Sequence, residues 1–179
     1  MTSLDVLESE RLRAERLRED HLDELRAALD TDPRVMATLG GRLLTEEESR
    51  AAIARHLAQW DRHGFGLWVF REKGTGRLVG RGGLVRYSLE GKDVVGLLYH
   101  VVAEAWGKGF ATEIARACLR AGFERLGLSS IGCWTQPANH ASKRVMEKCG
   151  FVHERDGLFH GLPHVFYRVG SEAWRERPS

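Results

Sequence analysis

The sequence predicts a mixed α+β fold forming one domain over residues 1–179, and three observations carry that expectation. Between Leu67 and Val102 the runs LWVF, RLVGRGGLVRY and DVVGLLYHVV are separated by KGTG and SLEGK, glycine loops suited to positive φ, which reads as an antiparallel meander. Patterned helical segments stand before and after it. At 179 residues and 42% hydrophobic composition, the chain is long enough for one well-buried core and short for two.

The elements follow in order. Arg11 to Leu17 alternates weakly, as a short strand does, and Asp20 is placed to cap a helix carrying Leu22, Leu25, Ala28 and Leu29 on one face. Thr45 and Glu48 form a capping box for a second helix. Its apolar stripe of Ala52, Ile53, His56, Leu57 and Trp60 ends at the HGFG turn, residues 63–66. The last strand of the meander becomes a continuous apolar run, which predicts a central position with both faces buried. After a glycine turn, Ile114, Ala115, Cys118, Leu119, Gly122, Phe123 and Leu126 recur at helical spacing, with Glu113, Arg116, Arg120 and Glu124 opposite. Ser130 to Gln136 is a strand broken by Pro137. Asn139 caps a helix with Ala141, Val145 and Cys149 inward, stopped by Gly150, and Phe151–Glu154 and Val165–Val169 close the sheet. The count is about six to seven strands and about four helices around one mostly antiparallel sheet.

Composition removes several function classes. With 27 basic and 25 acidic residues, the net charge of +2 leaves no electrostatic footprint for nucleic acid. No apolar run approaches the roughly 20 residues of a membrane span, and Met1 to Glu10 has no signal-peptide core, so a cytoplasmic location is expected. Cys118, Cys133 and Cys149 lack C-x-x-C spacing and sit at apolar positions, as reduced structural thiols do. His160 and His164 are separated by Gly161 and Pro163, which argues against a helix aligning both on a metal, so no metal site is expected.

The stretch AWGKGFATEIARACLRAGFERL at 105–126 is a strand exit, a glycine turn and a helix start, the arrangement that offers free N–H groups and partial positive charge to an anion. It meets neither the dinucleotide fingerprint, which would need glycine at Thr112, nor the Walker loop, which would need Ser or Thr at Gly109. E-A-W-G-K-G-F-A-T-E at 104–113, followed by W-T-Q-P-A-N-H-A-S-K-R-V-M-E-K-C-G-F at 134–151, resembles the GNAT acetyltransferases, in particular their RimJ/RimL-like branch of ribosomal-protein N-terminal acetyltransferases. The resemblance runs from the E-R-L-R near the N-terminus to the last strand.

The resemblance implies the GNAT fold, a sheet splayed at an acyl-CoA site, and acetyl-CoA as cosubstrate. Its pyrophosphate loop, written Gln or Arg, two variable residues, Gly, one variable, then Gly or Ala, matches here at Gly109 and Ala111, with Trp106 at the first position. It implies a backbone cradle formed by Gly107, Lys108, Gly109, Phe110, Ala111 and Thr112, and pantetheine hydrogen-bonded to main chain near His100, Val101 and Val102. Asn139 would cap the helix and touch the pantetheine amide, and Ser142 would donate a hydrogen bond to the departing sulfur. The helix position that carries a tyrosine acid in many GNATs is Met146, and the branch's central-strand glutamate aligns with Gly96, so the general base falls to His100, Glu104 or His164. Trp60, ahead of the HGFG turn, is the aromatic expected in the acceptor pocket, together with His164. Trp68, Trp106 and Trp134, in strand or strand-end patterns, are expected to pack in the core.

The function expected is acetyl transfer to a primary amine, with a protein or peptide N-terminal α-amine first. Alternatives are a small-molecule amine acetyltransferase acting on an amino acid, polyamine or aminoglycoside, and an acyl-CoA-binding regulatory protein with weak turnover. A monomer or homodimer that contacts neither nucleic acid nor membrane is expected.

Overall fold

The chain opens with β1 (Val6–Glu8) and β2 (Leu12–Arg16), the second being the alternating segment expected there. These coordinates are a computed structural model that describes residues 4–176, so the first and last three positions of the expected domain lie outside the described residues. A helical stretch follows, starting as a 3-10 turn at Glu19–His21, continuing as α1 (Leu22–Leu25) and closing in a π turn at Arg26–Asp30. The expected Asp20 cap is corrected. Asp20 lies inside the first turn, and the buried His21 ring takes the task, its Nδ1 accepting the Arg18 N–H at 3.0 Å.

Next come α2 (Pro33–Ala37), a short helix the hydrophobic spacing does not show, and α3 (Glu46–His63). Asp32 caps α2 by accepting the Arg34 N–H. The Thr45–Glu48 capping box starts α3, and Gly64 ends it in the left-handed region. The meander is β3 (Leu67–Glu72), β4 (Leu78–Leu89) and β5 (Lys92–Val101). Beyond it lie α4 (Phe110–Arg120), extended by a π turn at Ala121–Arg125, then β6 (Ser130–Thr135) and α5 (His140–Lys148). The hairpin of β7 (Val152–Phe159) and β8 (Leu162–Gly170), longer than expected, and α6 (Ser171–Arg175) complete the described chain.

Among the described residues eight strands form one sheet in the order β1-β2-β3-β4-β5-β6-β8-β7, against the six or seven expected, with six helices against four. The additions are elements of three to five residues, too short to show a period. Neighbours are antiparallel except β5 and β6, which are parallel. Successive residues of β4 define the two faces: Gly82 lies under Ile114 of α4, whereas Arg81 reaches Asp30 at the end of the first helical stretch. No helix among the described residues is long and apolar enough to cross a membrane.

Two expectations about packing change. β5 is central, yet Leu98, Tyr99 and His100 are only half-buried, because the sheet opens beside them. In α5, Ala141 is exposed and Met146 is fully buried instead, since the helix is rotated by one position and turns the face of Ser142, Met146 and Cys149 to the core.

The most buried polar contact is the ion pair of Arg81 and Asp30, 2.8 Å apart with side chains 8% and 2% exposed. Removing one partner strands the other charge in the core. Asp30→Ala should therefore lower stability by about 3–5 kcal/mol in urea unfolding. A loss within the range of surface substitutions would show that Arg81 reaches water.

Candidate active site

β5 and β6 share one register pair, Gly96 opposite Gly132, and then diverge. A cleft of about 660 Å³ opens between them and is lined from both faces of the sheet. Gly96 explains itself here: a Cβ would stand 2.6 Å from Trp134 Cη2 and 3.0 Å from Tyr87 Cε2. The volume in which a glutamate would project from the central strand is occupied by aromatic rings.

The divergence frees backbone. Val102 N–H is already committed to Val79 O at 3.0 Å, and peptide directions alternate along a strand, so the groups that face the gap are those of Tyr99 and Val101. Val101 O accepts the Trp106 indole N–H at 2.8 Å. The main-chain contact expected near His100, Val101 and Val102 is thereby narrowed to Tyr99 and Val101. Trp106, 44% exposed and lining the cleft, bolts the glycine turn to the strand end instead of packing in the core.

The turn itself has the form of an anion cradle. Gly107 and Gly109 have φ of +74° and +80°, and Gly109 is the N-cap of α4 with no side chain capping it, so the first N–H groups of a helix of 11 residues remain to be satisfied. A Cβ on Gly107 would meet nothing within 4 Å, which leaves open approach to the backbone. Arg11 holds the turn from outside, donating to Lys108 O at 2.9 Å, lying over Phe110 at 4.4 Å and pairing with Glu113 at 2.7 Å. Glu113 would otherwise set a loose negative charge in the first turn of α4. Burial works to raise its pKa, but hydrogen bonds from Ser9 and Arg11 prevail and hold it below the usual carboxylate range. The charge is spent locally, and Lys148 and Arg144 add positive side chains to the same wall of the cleft. These residues fit a pyrophosphate.

On α5, Asn139 Oδ1 accepts the Ser142 N–H at 3.1 Å as the cap expected, and its amide also donates to Thr38 O at 3.4 Å, tying α5 to the segment after α2. Ser142 Oγ lies 2.8 Å from the Tyr99 hydroxyl. Sequence spacing missed Tyr99, because it looks for a tyrosine on the helix whereas this one comes from the strand opposite. Burial raises the Tyr99 pKa well above the ordinary phenol value, so the hydroxyl stays a proton donor throughout the neutral range.

The other expected residues separate. His100 lines the cleft, but its Nδ1 accepts from Arg81 Nε at 3.2 Å, and a guanidinium can only donate, so the ring proton sits on Nε2. Burial first, then the Arg81 charge, push its pKa well below 6.5. His100 is thus a hydrogen-bond donor to the cleft and a poor base. Glu104 is outside the cleft lining, its carboxylate exposed and bound to Arg34. Trp60 is corrected: it is 4% exposed beneath the sheet, with its indole N–H on Leu67 O and its ring edge-on to Trp68, because Gly66 lets the ring close over the strand. Trp134, assigned to the core by its strand pattern, lines the cleft with Tyr87, Phe159 and His164. Among the described residues no cluster of three or more His, Cys, Asp or Glu is placed to hold a metal ion.

Comparison with known proteins bears on this geometry. Residues 11–152 match the acetyltransferase (GNAT) domain model. The chain is 30% identical to the uncharacterized protein YkkB of Bacillus subtilis (strain 168), over 87% of this chain and 90% of that protein. It is 35% identical to the FsC-acetyl coenzyme A-N(2)-transacetylase of Aspergillus fumigatus, over 73% of this chain and 58% of the relative. An acetyltransferase structure from Agrobacterium tumefaciens str. C58 superposes with a TM-score of 0.81 at 24% identity, covering 94% of this chain and 96% of that one.

Two measurements test the site. Gly109→Glu places a carboxylate where an anionic ligand must approach and strains a residue at φ +80°, so calorimetry should show acetyl-CoA binding abolished; unchanged affinity would make the turn a mere connector. Ser142→Ala should lower turnover roughly tenfold to a hundredfold with little change in acetyl-CoA affinity, as for a donor engaged when charge reaches sulfur. Asn139→Ala should instead cost about 1 kcal/mol of stability and raise the acetyl-CoA KM. Matching kinetics in the two variants would contradict these separate roles.

Proposed function

The chain belongs to the GNAT acetyltransferase family, and from that premise we propose that it moves the acetyl group of acetyl-CoA to an α-amine, a protein or peptide N-terminus first. It is an acyltransferase with acetyl-CoA as cosubstrate. The RimJ/RimL-like assignment is part of the proposal and rests on the 104–113 and 134–151 motifs. The Aspergillus relative's name, an acetyl coenzyme A N(2)-transacetylase, accords with transfer to nitrogen.

In this reading acetyl-CoA supplies an activated acyl group on a good leaving group, a thiol of pKa about 8.5. The α4 N-terminus and the Gly107–Thr112 backbone hold its phosphates. Main-chain groups of Tyr99 and Val101 order the arm in the gap, and an N–H there polarises the thioester carbonyl. Ser142, backed by Tyr99, donates to the sulfur as the C–S bond breaks.

The observation that carries the acceptor class is the absence of any Asp or Glu among the residues lining the cleft, with Gly96 where a glutamate base would stand and His100 holding its proton on Nε2. Such a site favours amines that lose their proton easily. At pH 7 roughly one α-amine in ten is neutral, against fewer than one lysine-type ε-amine in a thousand. It also offers nothing to the second and third charges of a polycation.

The test is competition between a peptide with a free N-terminus and its N-terminally blocked, lysine-containing twin, read by mass spectrometry. Acetylation should fall on the free terminus. Faster reaction of the blocked peptide would sink the α-amine assignment, and strong activity on free polyamine alone would move it to a small-molecule role.

A further inference from the structure

Tyr87, Trp134 and Phe159 come from three different strands and meet at the acceptor end of the cleft, with ring centroids 4.8, 5.2 and 6.0 Å apart and edge-to-face angles. Rings that close leave no cage for a cation between them; they form one continuous apolar wall. His164 adjoins it, 5.5 Å from the Phe159 ring. Val35 and Leu39, from α2 and the turn after it, also line the cleft. Beside them the cleft lining adds the polar side chains of Thr38, His100, Thr135, Gln136, His160 and His164.

His164 differs from His100 in which nitrogen is free. Its Nδ1 lies 2.9 Å from Leu162 O, and since a carbonyl only accepts, the proton is on Nδ1 and the Nε2 lone pair is available. A base needs that arrangement: one nitrogen oriented by a fixed acceptor and the other open to substrate.

We propose that Tyr87, Trp134, Phe159 and His164 form the acceptor subsite, that it takes a monocationic α-amine carried beside an aromatic or other flat apolar group, and that His164 Nε2 accepts the proton the amine loses. The proposal rests on the acetyl-transfer reading and names its substrate class. The bound α-ammonium first releases one proton to water; the neutral amine's lone pair then forms the N–C bond to the thioester carbonyl carbon while the C=O pair moves onto oxygen, returning as the C–S bond breaks. The proton on that nitrogen goes to His164 Nε2, and the C–S electron pair leaves on sulfur as CoA thiolate, received by Ser142. The His100 Nε2–H suits a carbonyl next to the amine, as in an amino-acid amide.

The charged and titratable groups around His164 are His160, against Phe159 at 4.2 Å, Arg155, over Phe166 and paired with Glu90, and Tyr87 and His100 across the cleft. None is a carboxylate free to take the base's place.

The experiment measures acetylation of L-phenylalaninamide, glycinamide and spermidine by the full chain across pH, with acetyl-CoA binding followed separately by calorimetry. Phenylalaninamide should exceed glycinamide at least tenfold in kcat/KM, with spermidine below both. His164→Gln should lower kcat tenfold or more at neutral pH, leave KM within about threefold and remove the acid-side fall of kcat, while acetyl-CoA still binds. Phe159→Ala, at a half-buried position, should erase most of the phenylalaninamide preference. Spermidine or glycinamide as the better acceptor, or an intact pH profile in His164→Gln, would overturn the subsite alone. Failure of the wild-type chain to acetylate any amine while binding acetyl-CoA would overturn the transfer reading and this proposal with it.

Discussion

One strand pair decides this molecule. β5 and β6 are parallel neighbours joined at Gly96 and Gly132, and their divergence past that point leaves peptide groups of a central strand without strand partners. Buried backbone groups need partners, so a sheet opened in its middle is stable only where something completes it. Trp106 supplies one bond, to Val101 O; the rest of the edge is what an extended ligand arm can pair with. The same parallel geometry requires a crossover from β5 to β6, and the crossover is α4, whose N-terminus is thereby set at the open end of the gap. The exposed glycine turn at the α4 N-terminus and the cleft beside β5 are consequences of a single topological choice.

The sheet also divides the chemistry. α4 and α5 lie on one side, with Ser142 and Tyr99 meeting across it. The other side holds the buried chain of Asp30, Arg81 and His100 and the aromatic wall. Arg81 has two effects there: its charge is neutralised by Asp30, and its Nε fixes the His100 tautomer. A half-buried histidine held in this way contributes polarity without becoming a proton acceptor. The neighbouring His56, pushed down to about 4 by burial and by the positive charge of Arg81, likewise adds no positive charge at neutral pH. The end of the cleft beside the aromatic wall is consequently apolar and offers no partner to extra positive charge.

Much of this was legible in order along the chain. Capping boxes, glycine stops and the stripe of α4 are local, because hydrogen-bond geometry and side-chain period within one helix need no knowledge of other elements. The cradle was legible for the same reason: a turn and a helix start are written in consecutive residues. Elements of three to five residues, β1, α2 and α6, were not, since a period needs more residues than they have. The Asp20 cap failed because the helical stretch starts two residues earlier, with Arg18 at the cap position and the His21 imidazole accepting its N–H, and Ala141 failed because a nine-residue helix can turn by one position without changing its pattern.

Sequence alone determined the fold class and the family resemblance, both of which depend on contiguous residues. Tertiary structure alone decided which candidates share a space. Trp60 and Trp134 both occupy apolar positions, yet one closes over a glycine beneath the sheet and the other fills the room above Gly96. His100 and His164 are the same residue type in the same cleft, and only their partners, a guanidinium for one and a carbonyl for the other, determine which nitrogen carries the proton. A side chain's chemistry depends on the neighbour it meets, and here those neighbours lie on other strands.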